Sequence, residues 1–137
     1  MSGTNTAIVR QVYDAFVRKD LPSILALQAD DSEWSVAASS QLSPWAGPFQ
    51  GQDGVTQFLR TLSEWLVAER FEILRYFAEG DTVVALGYQR GHVRPNHTDY
   101  EFDFVHIWTV RDSKVTRFRV YYDTAYVASA LQGHPTA

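Results

Sequence analysis

Asp103 stands where a carboxylate could move a proton. It falls in an alternating run, Asp99 to Arg111, in which every second side chain shares one face of a strand. Symmetric closure of the preceding turn, Pro95 to Thr98, sets Arg90 opposite Asp103, Tyr88 opposite Val105 and Leu86 opposite Ile107. Closure of the next turn at Asp112-Ser113 sets Val105 against Val120, Ile107 against Phe118 and Asp103 against Tyr122. In that register Asp103 is the only carboxylate on an otherwise apolar face, which is expected to line a cavity. Apolar surroundings raise a carboxyl pKa and suit it to take a proton alpha to a carbonyl, while a neighbouring Arg90 pulls the value back down. Tyr88 and Tyr122, with Tyr13 from a helix, would donate hydrogen bonds to the developing enolate. The plainer alternative is a cross-strand Asp103/Arg90 ion pair that only sets register.

Two further groups are held in reserve. His106 has the right chemistry for a general base, but this register puts it on the opposite face, opposite Gly87 and beside two arginines. Asp123 can sit at a pocket mouth, yet its position also suits the N-cap of a last helix. His92, His97 and His134 show no metal-ligand spacing, and no Gly-rich phosphate loop follows a strand, so neither a metal nor a nucleotide cofactor is implied. With no cysteine, thiolate chemistry and disulfides are excluded. The net charge of -4, with no window rich in Lys or Arg, argues against a nucleic-acid partner. Met1 to Asn5 show neither a basic region nor an apolar stretch, and no run spans a bilayer, so a cytoplasmic protein away from membranes is expected.

The elements that must position these groups follow from periodicity. Ile8, Val12 and Phe16 recur every four residues beside Val9, Tyr13 and Val17, giving an amphipathic first helix. Asp20 caps a short second helix with Pro22 in its first turn, stopping near Asp30-Asp31. Glu33 to Ala37 reads as a strand with Trp34 and Val36 on one face, followed by a Pro/Gly-rich loop to Gly51 that carries Trp45 and Phe49. Gln52 to Val67, with Val55, Phe58, Leu59, Leu62 and Leu66 at helical spacing, is the third helix. Four runs rich in Val, Tyr, Phe, Trp and Thr then form an antiparallel meander: 69–79, 82–94, 99–111 and 114–122. A short helix through Leu131 and a tail, 132–137, end the 137-residue chain, so 1–131 reads as a single domain. Aromatics make up 14% of the residues, more than a small core needs, which points to a ring-lined pocket or interface.

Lys19-Asp20-Leu21 to Leu27, Ala29-Asp30-Asp31, the stretch PWAGPFQG from Pro44 to Gly51, and Tyr121-Tyr122-Asp123-Thr124 to Leu131 resemble the nuclear transport factor 2-like superfamily. Within it the SnoaL-like and ketosteroid isomerase-like branch is the most similar. The resemblance implies an α+β fold: a cone-shaped, curved antiparallel sheet packed on three N-terminal helices, with a short C-terminal helix. It also implies a pocket between helices and sheet, and a homodimer. By this resemblance the catalytic acids of ketosteroid isomerases correspond here to Val36 and Val105, the Arg-x-Asp and last-strand Asp of limonene epoxide hydrolase to Leu86, Tyr88 and Val120, and the acid of SnoaL-like cyclases lies close to Val120. The chain thus keeps the fold without that machinery.

Asp103, Tyr88 and Tyr122 remain as the catalytic candidates. The expected pocket takes Tyr13 and Phe16 from the first helix, Trp34 and Val36 from the first strand, Trp45 and Phe49 from the loop, and Phe58 and Leu62 from the third helix. Leu86, Arg90, Val105, Ile107, Phe118 and Val120 complete it from the sheet. The opposite sheet face, with Phe102, Phe104, His106, Trp108, Arg117, Arg119 and Tyr121, has the composition of a dimer interface. Three functions stay open: a cofactor-free enzyme performing isomerisation, cyclisation or dehydration of a small apolar carbonyl or ring compound, a binding module for such a ligand, and a dimerisation domain whose cavity is filled by its own rings.

Overall fold

The computed structural model describes residues 2–133. Helices α1 (Ser2–Val17), α2 (Leu21–Ala26) and α3 (Gly51–Trp65) precede most of the sheet, and α4 (Thr124–Leu131) ends it. The strands are β1 (Gln28–Val36), β2 (Phe49–Gln50), β3 (Leu66–Glu79), β4 (Thr82–Val93), β5 (Asp99–Arg111) and β6 (Lys114–Tyr121), in the order β2-β1-β6-β5-β4-β3. The meander from β3 to β6 is antiparallel, and the sheet as a whole is mixed because β1 lies parallel to β6. The result is the expected α+β cone, a curved, unclosed sheet whose concave side holds the helices.

Local chemistry accounts for the boundaries. Asp20 caps α2 by accepting from the Ser23 amide at 3.2 Å, with Pro22 early in the helix where no N–H is missed. The second helix ends at Ala26, earlier than its composition suggested, because Gln28 already pairs with Val115 of β6. Of the expected tail, Gln132 and Gly133 form the turn after α4, and 134–137 lie outside the described residues.

Within the meander, curvature comes from three bulges, beside an irregularity in β1 between Gln28 and Glu33. In β3, Glu69 and Leu74 are extra residues against β4, and in β6 Thr116 is extra against β5. Each extra residue resets the alternation of the strand that carries it. Because of the bulge at Leu74, Tyr76 and Ala78 share the concave face with Phe71 and Ile73.

The bulge at Thr116 overturns the face assignment drawn from the turns. Asp112 and Ser113, both with positive φ, close a tight turn in which Arg111 pairs with Lys114 and Val110 with Val115, as symmetric closure requires. Beyond Thr116 the register has slipped by one: Trp108 faces Phe118 and His106 faces Val120. The β4/β5 loop is also longer than expected, so His92 pairs with Asp99, Arg90 with Glu101 and Tyr88 with Asp103. That two-residue shift preserves the faces, whereas the one-residue slip joins Phe118 and Val120 to the other face of β5. The concave side is therefore Ala85, Gly87, Phe102, Phe104, His106, Trp108, Phe118 and Val120, all buried.

Candidate functional site: the His106 network inside the cone

Along β5 the alternation Asp99-Tyr100-Glu101-Phe102-Asp103-Phe104 turns every carboxylate to solvent and every ring inward. His106 continues the inward series between Phe104 and Trp108. Its ring stacks on Phe104 at 4.2 Å between centroids and meets the edge of Phe118 at 4.8 Å. From α1, whose apolar face crosses the sheet here, Tyr13 brings its hydroxyl to 2.6 Å from His106 Nδ1. The Trp108 ring N–H donates to that same hydroxyl at 2.9 Å.

Donor and acceptor capacity orders the chain. Indole N–H is a donor only, so it occupies a lone pair of the Tyr13 oxygen, and the phenol proton is free to go to His106 Nδ1. This assignment satisfies all three groups and leaves the imidazole proton on Nε2. Burial pushes the His106 pKa down to about 3, and burial also holds the Tyr13 phenol well above its ordinary value despite the Trp108 hydrogen bond. Near neutral pH the network is uncharged and ends in an N–H donor.

Rings enclose it. Trp34 on β1 packs on Phe118 at 4.5 Å and edge-on to Trp108 at 5.7 Å, with Phe58 of α3 behind. On the side of Tyr13 the wall is thinner: Phe71 and Tyr76 of β3, and Phe16 of α1 beyond Phe71, are only half-buried. A second polar cluster on the same concave side centres on Tyr122, whose hydroxyl is buried beside Ser43 and Trp45 and close to the Phe102 ring, at 4.9 Å between ring centroids. A third is structural: Gln28 accepts from Ser32 and Trp34 at 2.8 and 2.9 Å and donates to the Ile24 carbonyl at 3.3 Å. Two open grooves, of about 550 and 310 Å³, flank α2 outside this region and share Ala26.

The structure redistributes the residues expected at the site. Asp103 is exposed on the convex face, where it pairs across to Tyr88, and it lies outside the cone. Tyr88 is on that face too and donates to Glu101 at 2.8 Å, which raises its phenol pKa. The expected Asp103/Arg90 pairing is absent, because Arg90 faces Glu101. Leu86, Val105 and Ile107 likewise belong to the convex side, as the slip at Thr116 dictates. Conversely, Phe102, Phe104, His106 and Trp108 are buried inside and cannot form an outer interface, while Arg117, Arg119 and Tyr121 do lie outside.

The concave side brings together Tyr13, Trp34, Val36, Trp45, Phe58, Phe118 and Val120 in one buried cluster, with Phe16, Phe49 and Leu62 half-buried against it. Asp123 caps α4, accepting from the Tyr126 amide at 3.0 Å. Among the described residues no Asp or Glu is buried. Sequence reasoning missed Trp108 and Phe104 as interior groups and set His106 aside. The clean acid/aromatic alternation of 99–104 was the signal that could have found them.

Comparison with known proteins places this geometry. The family model of the SnoaL-like domain matches residues 9–118. A crystal structure of an NTF2-like protein from Burkholderia xenovorans LB400 is 31% identical over 99% of this chain and 98% of that one, with a TM-score of 0.84. An NTF2-like protein of unknown function from Burkholderia pseudomallei K96243 is 29% identical over 96% and 98%, with a TM-score of 0.86. TerC, co-crystallised with polyporic acid, is 27% identical over 94% and 98%, with a TM-score of 0.84. Among curated proteins no match was found.

Proposed function

We propose that this chain, which belongs to the SnoaL-like domain family of the NTF2-like superfamily, takes a small, flat, apolar carbonyl compound into its cone. The carrying observation is the uncharged relay from Trp108 through Tyr13 to His106, buried among aromatic rings. A ring-lined wall suits a flat ligand, and the Nε2–H of a neutral imidazole is a donor suited to a carbonyl oxygen. The half-buried rings Phe71 and Tyr76, against α1, are the wall that gives way on entry. TerC, similar over nearly its whole length, is itself a protein crystallised with a small organic acid, which supports a ligand-binding reading.

Any chemistry in this site is polarisation of a bound carbonyl by His106, with Tyr13 holding the ring in its tautomer, the electrophilic half of an isomerisation, cyclisation or dehydration. Asp103 is not part of it. The absence of a buried carboxylate among the described residues favours binding over proton abstraction by an acid. The convex face supplies the partner surface: Phe77 and Tyr121, 46% and 41% exposed, flank half-buried Val84, Leu86, Val105 and Ile107, and a second copy of the chain would cover them.

The test is a thermal-shift and calorimetric screen with flat hydrophobic ketones, steroids and polyporic acid against wild type, Asp103→Asn and His106→Phe. Ligands should stabilise wild type and Asp103→Asn alike and lose at least tenfold in affinity for His106→Phe. Loss in Asp103→Asn, or unchanged binding by His106→Phe, would overturn the assignment.

A further inference from the structure

Across the convex face an apolar strip runs nearly at right angles to the strands, from Phe77 on β3 through Val84 and Leu86, then Val105 and Ile107, to Tyr121 on β6. Two charges flank its middle from opposite borders. Arg119 pairs with Ile107 on one side, and Asp103, two residues before Val105 on the same face of β5, lies on the other. The ion pairs among the described residues include neither of them.

Arg119 is half-buried and already aimed. Its Nε donates to the Tyr121 hydroxyl at 3.1 Å and its Nη1 to Ser35 Oγ at 2.9 Å, and Ser35 on β1 is buried. Both acceptors are neutral, so the guanidinium is held in place with its charge uncompensated. A surface that covered it with apolar groups alone would strand a buried charge, which is costly unless that surface also brings a carboxylate. Asp103 is exposed and free to reach outward. Arg75, at the β3 end of the strip, is exposed and rides on the Phe77 ring at 4.8 Å, where the rim of an interface leaves it in water.

Register supplies the geometry. Arg119 and Asp103 are four residues apart along the strands and one strand apart across them, about 14 Å and about 5 Å on the regular spacing of a sheet. In a face-to-face dimer the two-fold axis lies in the interface, and each residue meets the residue at the mirror position across that axis. The axis that sets Arg119 against Asp103 of a second copy passes through the paired residues Val105 and Tyr121. It continues between Leu86 and Val84 toward Phe77, which is the length of the apolar strip.

We propose that two copies of this chain pack convex face to convex face about that axis, with Arg119 of each bonded to Asp103 of the other. The proposal rests on the partner surface named above and adds the contact that sets its register. By symmetry the dimer holds two such pairs, and the two charges flanking the strip neutralise each other.

Sedimentation equilibrium of wild type, Asp103→Lys and Arg119→Glu, alone and mixed, tests it. Each single variant opposes like charges at both contacts and should dimerise at least tenfold more weakly. An equimolar mixture of the two should form a heterodimer within threefold of wild-type affinity, because each contact then joins opposite charges. Single variants that dimerise like wild type, or two folded variants that stay apart when mixed, would overturn this inference alone, and dissociation by Ile107→Asp would keep the convex-face reading. A wild type that is monomeric at micromolar concentration would overturn the partner surface and this inference together. Should Arg119→Glu fail to fold, Arg119→Gln, which keeps a donor for Ser35, takes its place: it should weaken the dimer at least threefold and blunt its dependence on salt. A dimer of Arg119→Gln as tight and as salt-sensitive as wild type would overturn the register.

Discussion

His106 is the residue on which most depends, and its chemistry follows from burial. An imidazole held neutral down to about pH 3 takes up its proton in the unfolded chain near its ordinary pKa of about 6.5. Between those values the unfolded state binds more protons, so the native state loses stability as pH falls from about 6.5 toward 3. At roughly 1.4 kcal/mol per unit, that loss amounts to several kcal/mol at most. His106→Phe should therefore flatten the acid limb of the stability curve relative to wild type in urea titrations at stepped pH; parallel curves would mean that the imidazole is not buried neutral. Tyr13→Phe acts differently. It leaves the Trp108 N–H and His106 Nδ1 without their shared partner, at about 1–3 kcal/mol per orphaned group, and a chemical-denaturation midpoint unmoved by the change would contradict the relay.

At the scale of elements, the strands are bent by what they omit and what they insert. Gly87 sits under the Phe104 ring, so that a Cβ there would fall within it, and Gly91 has the Val67 carbonyl of β3 in the same place. Gly91→Ala should lose more stability than Gly87→Ala, because its Cβ would come within 1.9 Å of the Val67 carbonyl oxygen whereas at Gly87 the nearest backbone atom, the Glu72 carbonyl oxygen, is 2.8 Å away; both should exceed about 1 kcal/mol. Insertion acts differently. Deleting Thr116 removes the extra residue and leaves Arg117 opposite Thr109 and Phe118 opposite Trp108, so the deleted chain should keep Phe118 and Val120 inside and retain a cooperative thermal transition. Loss of the cooperative transition would show that the local bend at Thr116, and not the pairing alone, holds the sheet together. This bulge is also where reading from sequence went wrong. The turn at Asp112-Ser113 was legible from residue type, and its first two pairs are as expected, but nothing in Thr116 itself announces an extra residue.

For the whole molecule, the proposed reading gives the concave sheet face to the pocket and the convex face to a partner copy. The concave face is sealed by helices, whereas the convex face leaves Phe77, Tyr121 and a strip of aliphatic side chains uncovered, with Arg75 and Arg119 set over the exposed rings. Sedimentation of the intact chain is expected to give a dimer, and Ile107→Asp, in the middle of that strip, to give a folded monomer with its near-ultraviolet dichroism intact. Wild type sedimenting as a monomer at micromolar concentration would remove the convex face as an interface. The described residues contain no helix long and apolar enough to cross a membrane, and no cluster of three or more His, Asp or Glu placed to hold a metal ion.

What the sequence determined by itself is local. Helical periodicity in α1 and α3, capping by Asp20 and Asp123, the turn residues and the β-rich runs identified nearly every element, and their order resembled the family to which the chain belongs. The ring-rich interior was foreseen through Trp34, Trp45, Phe58 and Phe118, because burial of large aromatics is dictated by residue type. Tertiary structure alone decided which residues of β4 and β5 join them. Strand faces are set by parity, and parity is decided by strand pairing, so one bulge placed at Thr116 moves Asp103 from the pocket to solvent and His106 from the surface to the centre of the cone.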